Sequence, residues 1–313
     1  MNNPLIICVI AYNRSNKLKN LLDQLSKISH INENNILIYI SVDGPKNIDI
    51  KNIIDNYINV FINLKIVYHK KNIGLKNHII LAGNQCAEFG DFIMLEDDIL
   101  ISNYIIEYSL ETLKIYQNSP KIRQISLYSI DWNEFNNSPF FPISGGDPVY
   151  LAKTASSWGQ IWTSLWWKEF SIWYQINKNN SFAYLDLPIN VKLWSDNSWK
   201  KYFNYFLVAN DYYVIYPRDS YSKHDGNYGT HMKGRVSSGY LSITNVFSKY
   251  AIYRDFNSFI HYYDQHLNFH FFDSNINENK IILSDVNFLK IYSTKQIFFE
   301  LLIRLKSKYL KLF

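Results

Sequence analysis

The sequence predicts an α/β fold, a mostly parallel sheet flanked by helices. Two observations carry this expectation. Over the first hundred residues, short apolar runs alternate with segments whose apolar residues recur at helical spacing. Each apolar run also ends in a turn signal or a cluster of polar residues, as strands do when the chain leaves a buried sheet for a crossover helix.

Taken in order, "LIICVIAY" (5–12) reads as a buried strand and "SNKLKNLLDQLSKI" (15–28) as a helix with Ser15 as its N-cap. "ILIYISVD" (36–43) is a second strand, ended by the turn Asp43-Gly44-Pro45. A helix over 48–60, a strand "LKIVYHK" (64–70), the loop "KNIGLK" and a helix over 76–88 follow. "DFIMLED" closes the series as a fourth strand. In parallel sheets of this kind ligands bind beyond the C-terminal strand ends, where Asp43, Asn72 and Glu96–Asp98 gather.

Beyond residue 120 strands are harder to place and Trp clusters appear, as in "SSWGQIWTSLWWKEFSIWY". The division expected is 1–120 as the ligand-binding half, 121–235 as a second, intimately packed half, and 236–313 as a helical or mixed C-terminal region. Trp158, Trp162, Trp166 and Trp167 have nearly helical spacing, which predicts core packing, with Trp158 beside Gly159 the one placed to stack on a bound ligand. The tail "KQIFFELLIRLKSKYLKLF" (295–313) is a basic amphipathic helix candidate, suited to an anionic membrane surface or to capping the core.

The 313 residues suffice for one large domain or two modest ones. A net charge of +5, spread along the chain, does not suggest nucleic-acid binding. Cys8 and Cys86 lie in apolar or helical contexts, which fits a reducing compartment without a disulfide framework. The N-terminal run "PLIICVIAY" has no basic region before it and is too short to span a bilayer, so a cytoplasmic protein is expected.

Three adjacent carboxylates in "LEDDILIS", Glu96, Asp97 and Asp98, repel one another and resist dehydration, so a compensating cation is expected beside them. Such a cluster either holds a divalent cation through hard oxygen ligands or supplies a general acid/base pair. In extended backbone Glu96 and Asp98 would project to one face and Asp97 to the other, unless the strand has already turned. Downstream, "KHDGNYGTH" (223–231) offers Lys223, His224, Asp225 and His231 on a glycine-rich loop. His261, His266 and His270 carry no zinc-protease pattern and read as packing or surface residues.

"IICVIAYNRSNKLKNLLDQL", "SVDG", "NIGLK" and "LEDDILIS", in this order, resemble the nucleotide-sugar half of a GT-A (Rossmann-like) glycosyltransferase. They are similar to the broad family-2 enzymes and to N-acetylglucosaminyltransferase I. The block from "SSWGQIWTSLWWKEF" to "KHDGNYGTH" also resembles bacterial polysaccharide-synthesis enzymes of this kind, so the resemblance covers residues 4–232. It implies a metal-dependent, inverting transferase that uses Mn2+ or Mg2+. The donor would be a nucleotide sugar, UDP-linked, and the acceptor a glycan or lipid-linked glycan of a bacterial surface polysaccharide.

The resemblance assigns the metal to Asp98, with His224 or His231 as a further ligand. Asp97 falls to the ribose or the metal shell, Glu96 to the loop or sugar, and Asp43 to the base or ribose. Ala11, Tyr12 and Arg14 would line the base and phosphate end, and Asn72, Gly74 and Lys76 the loop over the donor. The general base is expected at Asp196 in "LWSDNSW", one position earlier than the related pattern places it, with Asp131 in "LYSIDWNE" in reserve. A sugar-nucleotide nucleotidyltransferase is the alternative enzyme, although "VIAYNRSNK" lacks its N-terminal glycines. A noncatalytic glycan-binding subunit is the alternative outside enzymes.

Overall fold

A computed structural model describes residues 4–32, 35–44, 47–136, 138–142, 147–225, 243–244, 246–247, 253, 255–259 and 261–272. The chain begins β1 (Leu5–Ala11), α1 (Ser15–Leu25), β2 (Ile36–Val42), α2 (Ile48–Asp55), β3 (Leu64–Tyr68), α3 (Leu75–Ala87) and β4 (Phe92–Glu96). It continues through β5 (Ile99–Ile101), α4 (Ile105–Tyr116), β6 (Ile122–Ser126) and the short pair β7 (Trp132–Asn133) and β8 (Ser138–Pro139). Then come β9 (Val149–Ala152), β10 (Gln160–Trp162), α5 (Ser164–Asn177), α6 (Ile189–Leu193), α7 (Trp199–Ala209), β11 (Tyr213–Pro217) and β12 (Ser222–His224). A 3-10 turn (Phe256–Ser258), β13 (His261–Tyr263) and β14 (Phe269–Phe271) follow.

Ten strands form one sheet in the order β14-β13-β9-β11-β6-β10-β4-β1-β2-β3. Its N-terminal part is wholly parallel: β1 pairs with β2 and with β4, and β2 with β3. β1 is buried along its whole length, which is why "LIICVIA" is continuously apolar rather than alternating. α1 covers it with Leu18, Leu21, Leu22 and Leu25, one stripe at helical spacing. The chain runs outward from β1 through β2 to β3, then crosses back to β4 on the other side of β1. The C-terminal ends of β1 and β4 therefore flank a topological switch point.

Strands of the expected second half complete the same sheet. β10 lies antiparallel between β4 and β6, and β11 runs parallel to β6. Where helical or mixed structure was expected over 236–280, the described residues hold the 3-10 turn and the antiparallel pair β13–β14 on the sheet edge. The amphipathic tail, and with it the membrane contact, lies outside the described residues, as does His231. No described helix is long and apolar enough to cross a membrane.

Two local expectations are corrected. Ser15 is the first residue of α1, and the cap position before it is Arg14, which makes no capping hydrogen bond with its side chain. The near-helical Trp spacing spans a change of structure: Trp158 precedes β10, Trp162 lies on it, and Trp166 and Trp167 belong to α5. The last three are nonetheless buried, with Trp162 and Trp167 edge to face at 4.8 Å. Gly83 of α3 faces this cluster so closely that a Cβ would fall 2.1 Å from the Trp167 ring. That glycine is needed for the α3–α5 contact.

Candidate active site

The acidic turn sits at the switch point. β4 ends at Glu96, and the backbone N–H of Asp97 still donates to the carbonyl of Ile10 on β1 at 3.0 Å. The strand then turns, so Asp97 and Asp98 meet one cation instead of pointing apart. Arg14, just beyond β1, pairs through Nη2 with Asp97 Oδ1 and through Nη1 with Asp98 Oδ2. The compensating cation expected beside the carboxylates is thus supplied by the chain itself, from the residue that the resemblance assigns to the phosphate end.

From the far side β12 closes on the turn. It pairs antiparallel with β5, placing His224 opposite Ile99. His224 Nε2 lies 3.1 Å from Asp98 Oδ2, and the N–H of Asp225 donates to the Asp98 carbonyl at 2.9 Å. Lys17 of α1 fastens this loop through Nζ to Asp225 Oδ2 at 2.5 Å. Trp158 packs its ring 5.6 Å from that of His224 and edge-on to Tyr128 at 4.6 Å. Gly159 beside it has φ +91°, a left-handed backbone that a side chain would strain.

The carboxylates titrate differently because their surroundings differ. Burial pushes Glu96 up to about 8, assisted by Asp98 and Asp97 and opposed by Arg14 and Lys200. Burial also raises Asp97, to about 6, against the Arg14 charge. For Asp98 burial is outweighed by the His224 hydrogen bond and by Arg14, which hold it below the usual carboxylate range. Asp98 is therefore the carboxylate of the three most firmly held in its ionised form.

The residues expected to close over a donor gather at the end of β2, on the other side of β1 from this turn. Asp43 at the end of β2 accepts from Gly44 and Ile73 N–H on Oδ1, at 2.8 and 2.9 Å, and from Gly74 N–H on Oδ2 at 3.1 Å. It thereby clasps the loop that enters α3. Asn72 Oδ1 accepts from Gly74 N–H at 2.8 Å, and Gly74 has φ +79°. Ala11 is buried at the end of β1, whereas the Tyr12 ring is part-exposed and lies close over Gly44. Lys76 turns elsewhere, donating to the Asp196 carbonyl at 2.7 Å and lying 5.1 Å over the Tyr202 ring.

The two base candidates occupy different settings. Asp196 is exposed and pairs through Oδ1 with Lys201 Nζ at 2.8 Å, which lowers its pKa. It does not cap α7; Ser198 does, accepting from Lys201 N–H. Asp131 is buried and accepts from the Tyr128 hydroxyl at 2.6 Å, so contacts run from it through Tyr128, Trp158 and His224 to Asp98. Lys200 of α7 pairs with Glu134 at 3.3 Å.

Sequence reasoning passed over a polar cluster behind the donor loop. Ser41 Oγ stands 2.8 Å from His78 Nε2 and 3.2 Å from His69 Nε2. Burial pushes His78 down to about 4, with the Asp43 charge opposing. The signal available was a serine within the otherwise apolar run "ILIYISV". His266 and His270 are surface residues, as expected, at 3.0 Å from Asp186 and 2.9 Å from Asp264 respectively.

Among the described residues no group of three His, Cys, Asp or Glu side chains is arranged to hold a metal ion. Asp98 Oδ2 and His224 Nε2 form a two-donor pair at a distance compatible with a shared cation, with Asp97 adjoining. The same carboxylates are engaged by Arg14, so a metal there would share or displace the guanidinium.

No protein-family model matches the sequence, and no curated protein matches it. Among solved structures the chain is similar to Staphylococcus aureus TarS 1-349 in complex with UDP-GlcNAc, at 16% identity and a TM-score of 0.45, over 76% of this chain and 62% of that one. TarS 1-349 without ligand aligns at 14% identity and a TM-score of 0.45, and the chain spans 59% of its length and is covered over 70% of its own. The mannosyltransferase PcManGT from Pyrobaculum calidifontis, in complex with GDP-Man and Mn2+, aligns at 9% identity and a TM-score of 0.37 over 52% of this chain and 45% of that one.

Proposed function

We propose that the chain is a metal-dependent, inverting GT-A-type glycosyltransferase that moves a sugar from a nucleotide-sugar donor, UDP-linked, to a glycan or lipid-linked acceptor of a bacterial surface polysaccharide. The observation that carries the reading is the acidic turn Glu96–Asp98, seated at the switch point of a parallel sheet with Arg14 and His224 on its last carboxylate. Residues 1–120 would bind the donor and 121–235 the acceptor.

Asp98 and His224 would hold Mn2+ or Mg2+, which when bound neutralises charge on the leaving diphosphate. Arg14 supplies further positive charge at the same edge. The clasp of Asp43 on the loop 72–74 sets the rim against which base and ribose rest, and Trp158 offers a ring face for a sugar. Asp196 is proposed as the base that takes the acceptor hydroxyl proton; its pairing with Lys201 keeps it ionised. Asp131 is held in reserve.

The test is donor hydrolysis and sugar transfer by the full chain with Mn2+, wild type against Asp98→Ala, with circular dichroism confirming that the variant folds. Loss of both activities is expected. Undiminished turnover in the folded variant would end the metal assignment.

A further inference from the structure

Apart from the acidic turn, the described chain holds a cavity of about 640 Å3 between the start of α3, the end of α5, the segment 178–183, α6 and the first turns of α7. Its chemistry is unlike that of the turn. Lys76, Lys178, Lys192 and Lys201 line it against a single lining carboxylate, that of Asp196, a formal excess of three positive charges.

The lysines are held with charge to spare. Lys192 Nζ donates to the Ala183 carbonyl at 3.1 Å, Lys178 Nζ to Gln175 Oε1 at 2.9 Å, and Lys76 Nζ to the Asp196 carbonyl at 2.7 Å. All three acceptors are neutral, and these three lysines have no ion pair among the described residues. Only Lys201, which is buried, meets a carboxylate, and it also donates to the Trp194 carbonyl at 2.7 Å. An ammonium so placed keeps further N–H donors for an anion.

Aromatic side chains complete the wall. Tyr174, Tyr202, Tyr205 and Phe182 line the same space, with Phe182 and Tyr205 rings 4.7 Å apart and Tyr174 and Tyr202 edge to face at 5.1 Å. Ring faces beside ammonium groups suit a ligand that is part sugar and part anion: the C–H face of a pyranose packs on the aromatic, and the acidic substituent meets the lysines.

We propose that this cavity binds an anionic glycan, one bearing phosphodiester or carboxylate groups, and so selects a negatively charged acceptor. The acceptor role rests on the transferase reading above; the binding itself does not.

The experiment is calorimetric titration of the full chain, without donor, with a glycerol-phosphate oligomer, an oligogalacturonate and the neutral maltohexaose at low and moderate salt. At least one charged oligomer should bind about tenfold or more tightly than the neutral one, equivalent to about 1.4 kcal/mol, and the one that does identifies the acidic group. Its affinity should fall as salt rises. In Lys178→Gln/Lys192→Gln that affinity should drop about tenfold and lose most of its salt dependence. Equal binding of all three oligomers, binding of none, or an unchanged affinity in the folded double variant would overturn the proposal. Titration of UDP on the same protein tests the acidic turn separately, so either reading can fail while the other stands.

Discussion

His224 Nε2 meets Asp98 Oδ2 at 3.1 Å across 126 residues of chain, joining β12, which pairs with β5 outside the ten-stranded sheet, to the turn that ends β4. Replacing His224 by Leu removes one of the two metal ligands proposed above and leaves the carboxylate to Arg14. Mn2+ affinity, read by titration with electron paramagnetic resonance, should weaken about tenfold or more. An affinity equal to wild type would remove His224 from the metal set.

Arg14→Ala would leave two neighbouring carboxylates without their cation. Arg14 is itself part-exposed, so the loss is discounted from that of a fully buried pair, to about 2 kcal/mol in urea unfolding. Arg14→Lys should recover only part of it, because an ammonium cannot present two parallel N–H groups to two carboxylates. Full recovery would show that charge alone, not the fork, matters.

The base assignment divides on a pair of substitutions. Asp196→Asn should abolish sugar transfer while donor affinity stays within a factor of about two, since the residue is proposed to act only on the acceptor proton. If transfer survives there and disappears in Asp131→Asn, the base is the buried residue hydrogen-bonded to Tyr128.

His78 should make the fold acid-sensitive. Its folded pKa is depressed to about 4, so the neutral ring is the form the fold accepts. An unfolded chain takes up the proton near pH 6.5, hence stability is full above that pH and falls as pH drops toward 4, by on the order of 3 kcal/mol, then levels off. Urea midpoints of wild type and His78→Asn between pH 7 and pH 4.5 check this; parallel slopes in the two proteins would sink it.

Much of the architecture could be read from local pattern. β1 is apolar along its length, and β2 and β4 nearly so, because they are buried in the sheet, and α1 shows its stripe through Leu18, Leu21, Leu22 and Leu25. The acidic turn was legible because the three carboxylates follow the fourth of a series of alternating strands. What pattern does not record is the partner. Arg14 lies 84 residues from Asp98, and its pairing follows from the crossover that sets β1 beside β4. The Trp spacing gave the right burial for Trp162, Trp166 and Trp167 although they share no single helix, the glycine turn and the strand β10 intervening. Lys76 reads as a phosphate ligand in its loop, yet the segment before α7 offers it the Asp196 carbonyl and α7 the Tyr202 ring.

The pairing of β12 with β5 carries a consequence for synthesis. β1, β4 and β5 are made by residue 101 and β10 joins β4 at residues 160–162, but the strand that covers β5 and brings the imidazole arrives only at residues 222–224. Closure over so long a separation is slow and comes after local structure. A nascent chain halted after β11 would own the carboxylates and their arginine, with Ile99–Ile101 an open edge and no imidazole in place. The order of translation thus makes the site one of the last features of this half of the protein to be completed.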